Sequence, residues 1–145
     1  MKKILYFTII ILLFNCASDD GKPNEETQLL GKWQVIEHLL DPGDGSGTFK
    51  PVTSQRVIEF FLDGSVKVNG NLCFLTTEIG EKQTGTYEIT SNPNADTTFD
   101  GEIIPDDDDC NSEFYKIYFD ISADGHLILW YPCIEPCGEK FKKVD

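Results

Sequence analysis

The sequence predicts an all-β domain, an antiparallel up-and-down meander of about eight strands closed into a barrel. Three observations predict it. Apolar residues recur at every second position, short runs of them are separated by turn-forming residues, and no stretch beyond residue 16 carries the spacing of a long amphipathic helix. Such alternation turns one set of side chains to a core and the other to water. A meander of this length either closes or packs as two sheets, and closure removes both open edges, which otherwise invite edge-to-edge association.

The elements follow in order. Trp33, Val35 and Leu39 mark the first run; Ile58, Phe60 and Leu62 share one face of the next, with Glu59 on the other. Val66 and Val68 flank Lys67, and Tyr87 and Ile89 bracket Glu88. Phe99 to Ile104 is strand-like, Tyr115, Ile117, Phe119 and Ile121 interleave with polar or outward residues, Leu127 to Tyr131 is nearly continuous, and Lys140 to Val144 is the last run. Asp63-Gly64-Ser65 and Ala123-Asp124-Gly125 predict tight hairpin turns, because glycine takes a positive φ without steric cost. Alternating strand direction then places the connections holding Asp41 to Gly47, Thr76 to Gln83, Pro105 to Glu113 and Cys133 to Cys137 at one end, with the tight turns at the other. An eight-stranded barrel is either filled by its own side chains or holds one small ligand. Trp33, Phe60, Tyr87 and Phe119 are the residues expected to line such a space.

Cys73, Cys110, Cys133 and Cys137 share the loop-bearing rim. In an oxidising compartment an even number of cysteines favours two disulfides. Cys73 with Cys110 and Cys133 with Cys137 is the preferred pairing, because the short gap containing Pro136 can close locally, yet the shared rim leaves the other two pairings open.

The N-terminus carries a separate signal. Met1-Lys2-Lys3 precedes an apolar run of 11 residues, Ile4 to Phe14. A membrane-crossing helix needs about 20, whereas about 7 to 15 is usual for a secretory signal core. The run closes on Leu13-Phe14-Asn15-Cys16, which resembles the lipid-attachment site of a bacterial lipoprotein. That resemblance implies removal of residues 1–15 as a signal peptide, acylation of Cys16 as the mature N-terminus, and a lipid anchor in the outer membrane. Each buried methylene contributes about 0.8 kcal/mol to such an anchor. Residues 16–28 are acidic and almost free of apolar side chains, which predicts a flexible linker before a barrel domain at 29–145. Ser18-Asp19-Asp20 also resembles the export tag of Bacteroidota surface lipoproteins, which implies exposure on the cell surface; a plain solvated linker is the alternative.

Composition excludes some functions. The chain has 25 acidic and 12 basic residues, and loss of Lys2 and Lys3 with the leader leaves 25 against 10, a net charge of −15. Nucleic acid is therefore not an expected partner. Four thiolates suit zinc, but their spacing is irregular and the compartment oxidising. Asp106 to Asp109 and Asp41 with Asp44 offer hard oxygens for calcium, yet the Asp41 segment lacks the alternating acids of a calcium loop, so no metal is expected. No nucleophile triad, phosphate loop or zinc-protease motif is present, and His38 and His126 stand alone in strand-like runs. Neither a catalytic residue nor a cofactor is predicted.

Leu30-Gly31-Lys32-Trp33 at the first strand looks like the G-x-W signature of lipocalins. With it come the Gly-rich Asp41 to Gly47, Ile58-Glu59-Phe60 leading to Asp63-Gly64, Gly85-Thr86-Tyr87, and Cys133-Ile134-Glu135-Pro136-Cys137 before Glu139-Lys140-Phe141. In this order they resemble the small lipocalin-like lipoproteins of Bacteroidota over most of Leu29 to Val144. The resemblance implies a calycin-type barrel and an outer-membrane location, but no ligand, because that family is largely uncharacterised. Two non-catalytic functions are expected from it. The barrel binds a small apolar molecule at its open end, or a filled barrel serves as a structural or interaction module that contacts an envelope protein.

Overall fold

Strands form where the alternation falls. In the computed structural model, which describes residues 25–90, 99–108, 110 and 115–144, β1 (Gly31–Leu40) buries Trp33 and Val35. After a two-residue β2 (Lys50–Pro51), β3 (Val57–Phe60) buries Ile58 and Phe60, and β4 (Ser65–Val68) buries Val66 and Val68. β5 (Gln83–Ile89) turns Gly85 and Tyr87 inward, β6 (Gly101–Pro105) Ile103, and β7 (Ile117–Ile121) Ile117 and Phe119. β8 (Leu127–Trp130) buries Leu127 and Leu129, and β9 (Cys137–Val144) buries Cys137, Glu139 and Phe141. Residues 1–15, Cys16 and Ser18-Asp19-Asp20 lie outside the described residues.

All neighbouring pairs are antiparallel, β3 to β9 pair in sequence order, and β1 pairs with both β3 and β9, so eight strands close into a barrel. The short β2 adds to the far half of β1, past the point where β3 leaves it. A bulge between Val35 and Glu37 lets the ten-residue β1 bend along β9. Lys32, Lys67, Glu88 and Lys142 project from the outer face while the interior is apolar, the inverse of a barrel that crosses a bilayer.

Aromatic rings fill the middle. Phe60 meets Tyr87 edge-on at 5.2 Å and Phe119 at 6.0 Å, between centroids. Trp33, Phe60 and Phe119 are each at most 2% exposed, and Tyr87 7%, so the four residues expected to line a ligand space pack together in the core. Gly101 makes room for this packing: it sits opposite Phe119, and a Cβ there would stand 2.3 Å from the Phe119 ring. Gly101→Ala is therefore expected to cost about 1–3 kcal/mol by overpacking, read as a lowered midpoint in urea unfolding.

The two ends differ. At one, Gly64 and Gly125 take positive φ of 82° and 80° in the tight turns, and the five-residue α1 (Glu25–Leu29) covers the opening. Leu29 is fully buried, its carbonyl accepts the Trp33 indole N–H at 2.7 Å, and the Gln28 carbonyl accepts from Lys143 at 2.6 Å. These contacts hold a helix too short to stand by propensity, and they take residues 25–28 out of the segment expected to be linker. The opposite end gathers the connections that follow β1, β4, β6 and β8, as the alternation of strand direction requires.

Candidate functional site

The loop end carries the four cysteines of the barrel. Cys73–Cys110 ties the β4–β5 loop to the β6–β7 connection, and Cys133–Cys137 closes the short β8–β9 loop. Of the three pairings open to the sequence, the structure has the one that closes the short loop on itself.

Beneath these loops the interior turns from apolar to polar. Arg56 and Glu139 are both 0% exposed. One Arg56 amino group donates to Glu139 Oε2, and the other to the Asn71 carbonyl at 2.7 Å and the Tyr131 hydroxyl at 3.3 Å. Tyr131 in turn donates to Glu139 Oε2 at 2.7 Å. Glu139 Oε1 accepts the Thr76 N–H at 3.0 Å and lies 3.2 Å from His38 Nε2.

Electrostatics keep this cluster charged where charge is paired. Burial pushes the Glu139 carboxyl up, but the adjacent His38 imidazole, the Arg56 charge and the donors Tyr131 and Thr76 outweigh it and leave it below its ordinary value. Burial likewise opposes the Arg56 charge, and Tyr131 and Glu139 outweigh that too. Burial raises the Tyr131 hydroxyl well above the usual tyrosine range, so it stays protonated and donates.

The pair also fixes a plug. Arg56 holds the Asn71 carbonyl and Glu139 holds the Thr76 N–H, so both limbs of the 71–76 turn are tied to one ion pair inside the barrel. Asn71 Oδ1 accepts from the Cys73 and Phe74 N–H groups at 2.8 and 2.9 Å. The turn drops Leu72 and Cys73 into the mouth, buried, and the Tyr115 hydroxyl donates to the Cys73 carbonyl. Gln83 accepts from the Leu72 N–H and donates to Asp107 at 2.7 Å. Gly70 lets the loop limbs meet backbone to backbone, because a Cβ there would stand 2.8 Å from the Glu78 carbonyl.

On the outer side of the plug lies a groove of about 520 Å³, walled by Phe74, Leu75 and Ile79 and by Glu78, Glu81 and Gln83. Phe74 is 59% and Ile79 57% exposed, and Leu40 and Ile134 are exposed elsewhere on the same rim.

The acidic segments behave differently. Asp41 turns its carboxylate onto its own loop, accepting N–H groups from Gly43, Asp44 and Gly45 on Oδ1 and from Gly47, at 2.8 Å, on Oδ2. These donors, Gly47 foremost, hold its carboxyl below the ordinary value. The Gly-rich loop thus supplies this carboxylate's ligands itself. Among the described residues no three His, Cys, Asp or Glu stand together where one ion fits. His38 faces the buried cluster while His126, at the opposite end, lies 3.0 Å from Asp124, so the two histidines do not share a site.

Sequence reasoning placed the cysteines and the rim but passed over Arg56, Tyr131 and Glu139 as a group. A signal was present: Arg56 continues the inward phase of Ile58 and Phe60, and Glu139 falls between the inward Cys137 and Phe141. Two opposite charges, each on a core-facing phase, predict a buried pair. No family model, curated protein or solved structure matches this chain.

Proposed function

We propose that this chain is an outer-membrane lipoprotein, anchored through acylated Cys16, whose non-catalytic barrel recognises its partner on the loop rim rather than in its interior. The observation that carries this reading is the opposition of the two ends. The chain comes into the barrel through α1 at the closed end, where Phe61 and Leu62 are exposed on the β3–β4 turn, and the larger set of exposed apolar side chains, Phe74, Ile79, Leu40 and Ile134, lies at the other. Residues 17–24 span at most about 29 Å when fully extended. An acylated Cys16 therefore tethers the barrel by its closed end and leaves the rim as the end without the anchor. The charged outer face of the barrel favours a lipid, rather than the strands, as the anchor.

The packed aromatics favour the filled-barrel module over a ligand inside, and any apolar small molecule finds its surface in the rim groove instead. Arg56 and Glu139, though ionisable, are spent on each other and on the plug. Mass spectrometry of the N-terminal peptide from membrane-extracted protein tests the anchor: an acylated Cys16 is expected, and an unmodified one behind an intact leader overturns it. Native mass spectrometry tests the filled barrel, with the bare polypeptide plus its acyl groups expected. A further lipid or metabolite that stays bound when Phe74 and Ile79 are both changed to serine overturns it, since such a ligand sits in the interior. Protease shaving of whole cells tests the membrane face, with cleavage at the rim expected for surface exposure.

A further inference from the structure

We infer that the rim groove binds amphipathic cations: an aryl- or alkylammonium whose apolar body lies on Phe74, Leu75 and Ile79 and whose charge meets Glu78 and Glu81. The inference deepens the rim reading and rests on it, but it does not depend on the lipid anchor. The groove, at about 520 Å³, falls within the size range of small-molecule sites.

The ligand class follows from which polar groups are still open. Asn71 Oδ1 is taken by two backbone N–H groups, Thr76 Oγ1 accepts the Glu78 N–H at 3.0 Å, and Gln83 is taken at both ends by Leu72 and Asp107. Glu78 and Glu81 are different. Among the described residues neither carboxylate has a hydrogen bond or an ion pair. Lys82, between Glu81 and Gln83, turns away and lines a separate groove with Glu59 and Lys67. The site therefore offers apolar surface and two uncompensated negative charges. An anionic amphiphile meets only repulsion there, while a neutral one gains the apolar wall alone. A cation gains both, and the exposed Phe74 ring adds a face on which an ammonium can rest.

The wall is also preformed. The Cys73–Cys110 disulfide, the Arg56 and Glu139 bonds to Asn71 and Thr76, and the Gly80 N–H to Asn69 carbonyl bond at 3.1 Å hold the loop before any ligand arrives. Little ordering cost then opposes binding.

The test uses the full chain and three probes of one shape: phenethylammonium, 2-phenylethanol and 3-phenylpropanoate, titrated at low salt with chemical-shift mapping. The cation is expected to bind about tenfold tighter than the anion, the alcohol between them, with shifts centred on Phe74 and Ile79. Glu78→Gln with Glu81→Gln should erase the preference for the cation while leaving the alcohol unchanged, Phe74→Ser should weaken all three, and Glu135→Gln elsewhere on the rim should change nothing. Equal binding of the three at Phe74 overturns the cation class and leaves rim recognition standing. A preference that survives the double glutamine variant overturns it equally. No binding at Phe74 by any probe overturns the site itself.

Discussion

Glu139→Ala is expected to destabilise the barrel by about 3–5 kcal/mol, because it leaves the Arg56 guanidinium charged and unpaired at a position that is 0% exposed. The loss is a large part of the roughly 5–15 kcal/mol by which a domain of this kind is stable. The direct bond is only one part of it, since Tyr131 loses its acceptor and the Thr76 N–H of the plug loses its own. Removing both charges is a different experiment. Arg56→Met with Glu139→Leu takes away the desolvation penalty with the attraction, so the double variant should recover most of the single variant's loss. Urea unfolding of the parent, the single variant and the double variant provides the measurement. A Glu139→Ala cost below about 1 kcal/mol would mean that the guanidinium finds other acceptors.

The same cluster sets the pH range of the fold. The Glu139 carboxyl is held below its ordinary 4.5, so on acidification the unfolded chain takes up the proton first. Its stabilising contribution is fully present above 4.5 and is lost as pH falls through the lowered folded value. Tyr131 has the opposite sign. Its hydroxyl is raised well above 10.0, so the unfolded chain ionises first as pH rises. The Tyr131 contribution is therefore complete below 10.0 and declines above it. The Arg56→Met, Glu139→Leu protein should lose the Glu139 share of the acid-side dependence while that of Asp41 and the other loop aspartates remains, and an identical acid limb in the two proteins would assign the whole limb to those carboxylates.

Much of this architecture is legible in the sequence, because inward phases such as Ile58 and Phe60 or Ile117 and Phe119 coincide with burial in the folded chain. The turns at Gly64 and Gly125 are legible for a local reason, their positive φ. The rim then follows from strand direction alone. What escapes is whatever depends on tertiary contact. Helix α1 has only five residues and forms because Leu29 has a barrel end to cover. His38 reaches Glu139 only because the bulge after Val35 shifts the phase of β1, and nothing local in Ile36-Glu37-His38 announces that shift. Arg56 and Glu139 are 83 residues apart, and charge alone assigns each to the surface until their phases are compared. The four aromatics lie in the core, while whether such residues enclose space or fill it depends on ring packing that alternation does not encode.

Opening Cys73–Cys110 is expected to cost about 4 kcal/mol and opening Cys133–Cys137 about 2, because the first closes a loop of 37 residues and the second one of 4. The difference in cost has a structural counterpart. Cys133–Cys137 bounds a solvent-facing turn, whereas Cys73 is part of the plug and its partner Cys110 is buried with it. Cys73→Ala with Cys110→Ala leaves the 71–76 turn held by hydrogen bonds, chief among them those of Arg56 and Glu139 to the Asn71 carbonyl and the Thr76 N–H. Those bonds and the disulfide restrain the same segment, so the effect of Glu139→Ala in the disulfide-free protein should differ from its effect in the parent by more than about 0.5 kcal/mol. Hydrogen exchange separates local from global loss. The Leu72 and Thr76 amides should exchange much faster in the disulfide-free protein, while Val66 and Phe119, inside the strand ladders, speed up only as far as the loss of global stability requires. Uniform acceleration at all four amides would instead make the disulfide a staple of the whole barrel. Preferential exchange at the plug would make Cys73–Cys110 the tie that holds the groove wall in shape, and cation binding at Phe74 should weaken in the same variant.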